Sequence, residues 1–91
     1  MTTNISLRIL RKPQVMETLG LPLSTLNLRV KQGLVTSPIP LGARAVGWPS
    51  SEIDTLVKAI CTGANNDQLS ALVIKLELGR KDDAINRILA E

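Results

Sequence analysis

The sequence contains no histidine, no tyrosine and no phenylalanine, and it has a single tryptophan and a single cysteine. Without histidine there is no imidazole for general-base catalysis and no histidine metal ligand. Without tyrosine, the tyrosine nucleophile that DNA recombinases use is excluded. Cys61 alone cannot form an internal disulfide or a thiolate zinc site, and we expect it to be a small buried residue. These absences argue against an enzyme, and no cofactor or small-molecule substrate is expected.

Long apolar runs are also missing from the sequence. No segment approaches the roughly 20 apolar residues that are needed to cross a bilayer. The first residues lack the apolar core of a signal peptide. We therefore expect a soluble cytoplasmic protein that does not contact membranes. Because 44% of the residues are hydrophobic but only 1% are aromatic, its core should be aliphatic.

Positive charge is concentrated in the first two-thirds of the chain. The formal net charge is only +3. Residues 1–58 carry seven basic against three acidic side chains, whereas residues 59–91 carry four basic against five acidic ones. A polyanion such as nucleic acid is therefore expected to bind the first part of the chain.

Two short helices separated by a tight turn are predicted early in the chain. The first begins at Pro13, whose missing N–H is tolerated in a first turn, and ends at Gly20. Ser24 can act as the N-cap of the second helix, which runs from Thr25 to a stop at Gly33. Basic side chains on the second helix favour a helix-turn-helix, whose second helix enters the major groove of DNA.

A small hairpin should follow these helices. Pro38 and Pro40 forbid a helix and permit only an edge strand, residues 42–44 form the tip, and residues 45–48 form the returning strand. A hairpin directly after a helix-turn-helix is a wing. Arg44 at its tip is the side chain that a wing brings to phosphates or into the minor groove. An ordinary solvated arginine in a turn is the alternative interpretation.

The rest of the sequence predicts further helices, each with one apolar face. The third helix begins near Pro49 and ends near Gly63. The fourth is capped by Asn66 or Asp67 and ends at Gly79, and a short fifth helix is capped by Asp82. A short strand or an extended lead-in is also predicted at residues 5–10. The predicted core consists of the apolar helix faces and Trp48, namely Val15, Met16, Leu19, Leu23, Leu26, Val30, Leu34, Trp48, Ile53, Leu56, Val57, Ile60, Leu69, Leu72, Val73, Leu76, Ile85, Ile88 and Leu89.

The predicted fold class is mainly α with a small β-hairpin wing, a winged helix-turn-helix followed by a C-terminal helical hairpin. Residues 1–62 form the DNA-binding domain, and residues 63–91 form the helical hairpin. Ile74 and Leu78 add more apolar surface than a hairpin of two short helices can bury within itself. We therefore expect this hairpin to dimerise with a second copy of the chain, and docking within the monomer is the alternative.

The sequence LGARAVGW at residues 41–48, followed by SEID at residues 51–54, resembles the AlpA family of phage and mobile-element regulators. The segments LRKP, TLGL and STL, which precede these motifs, fit the same family in order and spacing. The resemblance implies a winged helix-turn-helix of the MerR/excisionase type that binds double-stranded DNA. It also implies transcription regulation of integrase expression in a prophage or mobile element, or an excisionase role in which integrase is a partner.

The residues expected to contact DNA lie before the first helix, on the second helix and at the wing tip. They are Arg11, Lys12, Ser24, Thr25, Asn27, Leu28, Arg29, Lys31, Gln32 and Arg44. Asn27 is the best candidate for reading a base edge, because an amide can pair with adenine through two hydrogen bonds. Family members carry a basic residue at the position of Leu28 and an apolar one at that of Arg29, so either residue could face DNA here. The alternative function is that of a non-catalytic helical protein–protein adaptor.

Overall fold

The computed structural model describes the backbone of residues 8–90 and the side chains of residues 8–80. Its elements in chain order are β1 (Ile9–Leu10), α1 (Lys12–Leu19), α2 (Leu23–Lys31), β2 (Ile39–Gly42), β3 (Ala45–Pro49), α3 (Ser50–Cys61) and α4 (Asn66–Ala90). The helices α1 and α2 form the helix-turn-helix, and β2 and β3 form the wing. The predicted mainly α fold with a wing is confirmed. The first residues of the strand predicted at residues 5–10 lie outside the described part of the chain.

The helix-turn-helix begins and ends close to its sequence signals, with one exception at the start of α2. Gly20 follows α1 in the left-handed conformation, with φ of 69°. Pro22 occupies the N-cap position of α2, so the predicted cap residue Ser24 is the second residue of the helix. Leu23, the first residue of α2, is 45% exposed, so the prediction that it is a core residue is wrong.

The wing belongs to a three-stranded antiparallel sheet with the strand order β1-β3-β2. Strand β1 adds to the hairpin through the pairs Ile9–Pro49 and Leu10–Trp48. Strand β1 lies very close to Gly47. A Cβ added at this position would collide with the side chain of Ile9 and lie 3.0 Å from the carbonyl oxygen of Leu10. The returning strand of the wing is therefore the central strand of the sheet.

Trp48 is buried in an otherwise aliphatic core. Its side chain is 1% exposed, and its indole N–H donates a hydrogen bond of 2.7 Å to the carbonyl oxygen of Thr36. This satisfies the polar end of a ring that the core otherwise surrounds with apolar groups. The other buried apolar residues are Leu10, Val15, Leu26, Leu34, Val35, Ile53, Leu56, Leu69 and Val73.

Most of the predicted core residues that the structure describes are buried or partly buried, but α3 departs from the prediction near its end. Ile60 is 49% exposed, and Cys61, the last residue of α3, is exposed rather than buried. Both lie in the final turn of the helix.

One continuous helix replaces the predicted C-terminal hairpin. Helix α4 spans Asn66–Ala90 without a break at Gly79. Leu69 and Val73 in its first half are buried in the same core as the residues of the helix-turn-helix and the sheet. The prediction of two helices joined at Gly79 is therefore wrong. The side chains predicted to form the apolar face of the fifth helix lie outside the described part of the chain; they are Ile85, Ile88 and Leu89.

Glu77 and Arg80, which flank Gly79, bind α4 to Ser37 just before the wing and to Glu52 on α3. Arg80 donates from Nε and Nη2 to the two carboxylate oxygens of Glu52, both at 2.6 Å, and from Nη2 to the carbonyl oxygen of Ser37 at 2.8 Å. The carboxylate of Glu77 accepts the N–H of Ser37 at 2.7 Å. We call these four residues the α4 clamp. Hydrogen bonding to Glu52 raises the pKa of Arg80, and Glu52 itself is only 5% exposed.

Candidate nucleic-acid interface

The orientation of α2 is determined by Leu26, which is fully buried in the core. An α-helix turns by about 100° per residue, so residues two positions before and after Leu26 lie on the opposite side of the helix. These residues are Ser24 and Leu28, and both are exposed, as are the adjacent Asn27 and Lys31. We call these four residues the outward face of α2. A helix-turn-helix presents this side of its second helix to the major groove.

The outward face combines three kinds of side chain that suit DNA. The hydroxyl of Ser24 and the amide of Asn27 both donate and accept hydrogen bonds, and an amide matches the edge of adenine. The ammonium of Lys31 suits a phosphate or guanine. Leu28 is 51% exposed among these polar residues, and an apolar side chain in this position can contact a thymine methyl group.

Arg29 lies on the flank of α2 rather than on the outward face. It is about 60° around the helix from Leu26 and is half-buried. Its side chain lines an apolar cavity together with residues of α3 and α4, such as Leu56 and Leu69. Of the two residues that the sequence left open, Leu28 is therefore the one on the outward face.

The wing tip holds Arg44 in a backbone conformation that L-residues adopt only rarely. Ala43 and Arg44 have φ angles of 46° and 68°. Positive φ at both residues of a two-residue tip matches the twist of the flanking strands, but it costs about 1 kcal/mol or more for a residue with a Cβ. Arg44 is exposed and forms no ion pair within the described part of the chain. Backbone strain of this kind is concentrated at functional sites.

Arg11 is positioned beside the wing although it precedes α1. Its Nε donates a hydrogen bond of 3.1 Å to the carbonyl oxygen of Val46, two residues beyond Arg44. Its own N–H donates to the side chain of Gln14 at 2.8 Å, which fixes the start of α1. The remaining guanidinium nitrogens of Arg11 can therefore reach a phosphate from the side of the wing. Lys12, the first residue of α1, is half-buried.

The structure thus distributes the predicted DNA contacts over distinct places. The outward face of α2 brings together Ser24, Asn27, Leu28 and Lys31, and the wing brings together Arg11 and Arg44. Thr25 and Arg29 lie on the flank of α2, and Lys12 and Gln32 lie at helix ends. Sequence reasoning missed the cavity beside Arg29 and the strained wing tip, since neither Ala43 nor Arg44 is a residue type typical of positive φ.

A helix-turn-helix with an exposed outward face, followed by a wing with an arginine at its tip, defines a winged helix-turn-helix protein. The family described as prophage CP4-57 regulatory protein (AlpA) matches residues 8–61, more than half of the chain. The chain therefore belongs to the AlpA family of phage-type DNA-binding regulators. Neither a curated protein nor a solved structure matches the chain. Among the described residues, no helix has both the length and the apolar character to cross a membrane.

Proposed function

We propose that this protein is a sequence-specific DNA-binding regulator of a phage or integrative element. It acts either on integrase expression or as an excisionase that directs integrase toward excision. The outward face of α2 lies in the major groove, where Asn27 and Leu28 read bases. Lys31, Lys12, Arg11 beside the wing and Arg44 at the wing tip contact phosphates.

The outward face of α2 is the observation that carries this proposal. Leu26 holds one side of the helix in the core, and no other described element covers the opposite side. A short helix gains little stability from an uncovered Leu28, because most helical stability in proteins comes from packing. The same side chain contributes binding energy when a DNA base covers it. The basic surplus of residues 1–58 supplies the attraction to the phosphate backbone.

The salt dependence of duplex binding tests the proposal. Four basic residues, namely Arg11, Lys12, Lys31 and Arg44, are free to contact phosphates, so log K should fall with log[salt] with a slope of about −4. Lys31→Ala should make the slope less negative by about 1. Lys58→Ala is the matched control, because Lys58 is an exposed lysine on α3 that is paired with Asp54. A slope near zero would instead support the adaptor function.

Recognition of the DNA base sequence is tested separately from binding to the DNA phosphates. Asn27→Ala should lower affinity for the specific site more than affinity for random DNA, because the amide contacts a base and not a phosphate. Binding of the variant and the wild type to both duplexes can be measured by fluorescence anisotropy. An equal loss on the two duplexes would contradict a base-reading role for Asn27.

Footprinting on the DNA of the parent element distinguishes the two regulatory roles. A protected site at the integrase promoter supports transcription regulation. Protected sites clustered beside the recombination junction support an excisionase. An excision assay with purified integrase then measures whether this protein changes the direction of recombination.

We further propose that α4 pairs with α4 of a second copy. Ile74 and Leu78 are 58% and 59% exposed, and they lie on a face of α4 turned away from the buried Leu69 and Val73. In the sequence, Ile85 and Ile88 follow Ile74 and Leu78, and the four residues are separated by four, seven and three positions. Such spacings are typical of the apolar seam of a coiled coil. A dimer brings two copies of α2 to one duplex and so adds binding strength without new base contacts.

Sedimentation of the full chain tests the dimer. The wild type should sediment as a dimer at tens of micromolar, and a variant with both Ile74→Ser and Leu78→Ser should be monomeric. Leu41→Ser is the matched control, because Leu41 is a 42% exposed leucine in the wing. A monomeric wild type, or dissociation by the control substitution alone, would contradict pairing through α4.

A further inference from the structure

An apolar cavity lies where the ends of α1 and α2 meet α3 and the beginning of α4. Its volume is about 230 Å³, which exceeds the roughly 150 Å³ of an apolar protein cavity known to bind benzene. The lining is made of apolar side chains with two polar exceptions, Arg29 and Asn66. The apolar lining residues are Leu19, Leu21, Leu34, Val35, Leu56, Ile60, Ala64 and Leu69.

Arg29 gives this cavity an uncompensated positive charge. No acidic side chain lines the cavity, and Arg29 forms no ion pair within the described part of the chain. Arg29 is half-buried and lines the cavity beside apolar side chains, where an anion is attracted more strongly than in open water. A guanidinium binds a carboxylate through two parallel hydrogen bonds, and the amide of Asn66 can donate a further one.

We propose that the cavity binds a small amphipathic carboxylate, with its anionic group on Arg29 and its apolar body among the leucines. A body of about six to ten carbon atoms matches a cavity somewhat larger than one that holds benzene. The cavity is too small to admit more than one side chain of a partner protein, which favours a free small molecule. The ligand is bound and not chemically changed.

The position of Arg29 on α2 connects this cavity to DNA binding. A bound carboxylate neutralises one positive charge of the recognition helix, which lowers attraction to phosphates. This consequence rests on the proposed function, whereas the ligand site itself does not.

Octanoate, compared with octanol, is the probe for the ligand site. The two molecules share an apolar chain and differ in the carboxylate, so the charge contribution is isolated. In two-dimensional amide NMR of the full chain without DNA, octanoate should shift the signals of lining residues such as Leu21 and Ala64. Octanol should bind about tenfold more weakly, the factor expected for a hydrogen-bonded charge pair.

Substitutions of lining residues test whether octanoate binds inside the cavity. Arg29→Met should abolish the preference for octanoate over octanol, and Ala64→Leu should weaken both by filling the space for the chain. Lys31→Met removes a charge from the outward face of the same helix and should leave octanoate binding unchanged. The proposal is overturned if octanoate shifts Ile74 and Leu78 instead of the lining, if both probes bind the wild type equally, or if Arg29→Met keeps the preference.

A DNA titration separates the ligand site from the proposed function. Octanoate should lower the affinity of the wild type for duplex DNA at least twofold and leave the Arg29→Met variant unchanged. If the protein does not bind DNA at all, the proposed function fails, while the NMR comparison still decides the ligand site.

Discussion

Replacement of Arg44 by glycine should stabilise the protein while it weakens DNA binding. Arg44 has a φ of 68°, which costs a residue with a Cβ about 1–2 kcal/mol and costs glycine almost nothing. Glycine loses about 0.5–1 kcal/mol more backbone entropy on folding than other residues do. The difference is a gain of about 0.5–1 kcal/mol in the free energy of unfolding, which raises Tm by about 3–6 °C in a domain of this size.

Arg44→Ala is the control that separates backbone strain from charge. Alanine keeps the Cβ and therefore the strain, so its Tm should equal that of the wild type within about 2 °C. Both variants lose the same positive charge, so both should show a salt slope of duplex binding that is less negative by about 1.

Thermal melts and anisotropy titrations measure the two effects on the same samples. If Arg44→Gly melts at or below the temperature of Arg44→Ala, the inferred strain at the wing tip is wrong. If both variants keep the wild-type slope, Arg44 does not contact a phosphate.

Four further substitutions have expected outcomes that follow from how buried or exposed each side chain is. Arg80→Met should lower the free energy of unfolding by about 3 kcal/mol, because it leaves the charge of the buried Glu52 without a partner. Lys58→Met, the control, breaks an exposed ion pair and should lower the free energy of unfolding by at most about 0.5 kcal/mol. If chemical denaturation gives similar losses for Arg80→Met and Lys58→Met, the stabilising role of the α4 clamp is contradicted. Trp48→Ala should cost about 3–5 kcal/mol, visible as a lower denaturation midpoint even without DNA. Leu28→Ala should weaken binding to the specific site about fourfold. Deoxyuridine lacks the methyl group of thymidine, so replacing the contacted thymidine by deoxyuridine should not weaken binding of this variant further. If the two losses are additive, Leu28 does not contact the methyl group.

The helix-turn-helix and the wing were predictable because their boundaries depend on local signals. Gly20 ends α1 through its own left-handed conformation, and the prolines of β2 exclude a helix whatever surrounds them. Trp48 was predictable because a single large ring in an aliphatic chain has few favourable places outside the core.

The continuity of α4 was not predictable from local signals. A glycine inside a helix costs only about 1 kcal/mol relative to alanine, and contacts elsewhere can offset that amount. Here Glu77 and Arg80, on either side of Gly79, bind Ser37 and Glu52. Nothing in the sequence around Gly79 indicates these partners, since they lie far away along the chain.

The residues of the candidate site could be named from the sequence, but the sequence did not predict which of them lie together on one surface. The sequence left Leu28 and Arg29 as alternatives, because the family resemblance places a basic residue at position 28 and an apolar one at position 29, the reverse of this sequence. The burial of Leu26 fixes the rotation of α2, and this rotation places Leu28, and not Arg29, on the outward face. The strain at Arg44 could not be foreseen, because it results from a hairpin tip of only two residues.

The α4 clamp has a consequence for the order in which the chain folds. Its hydrogen bonds join residues that are 28, 40 and 43 positions apart, so they can form only after a long loop has closed, and contacts of this kind slow folding. We expect the clamp to form after the folding transition state, so that weakening it accelerates unfolding and leaves the folding rate nearly unchanged. During synthesis, Ser37 leaves the ribosome well before Arg80. The start of the wing therefore reaches its final geometry only once most of α4 has been made, and a nascent chain that lacks α4 should bind DNA poorly.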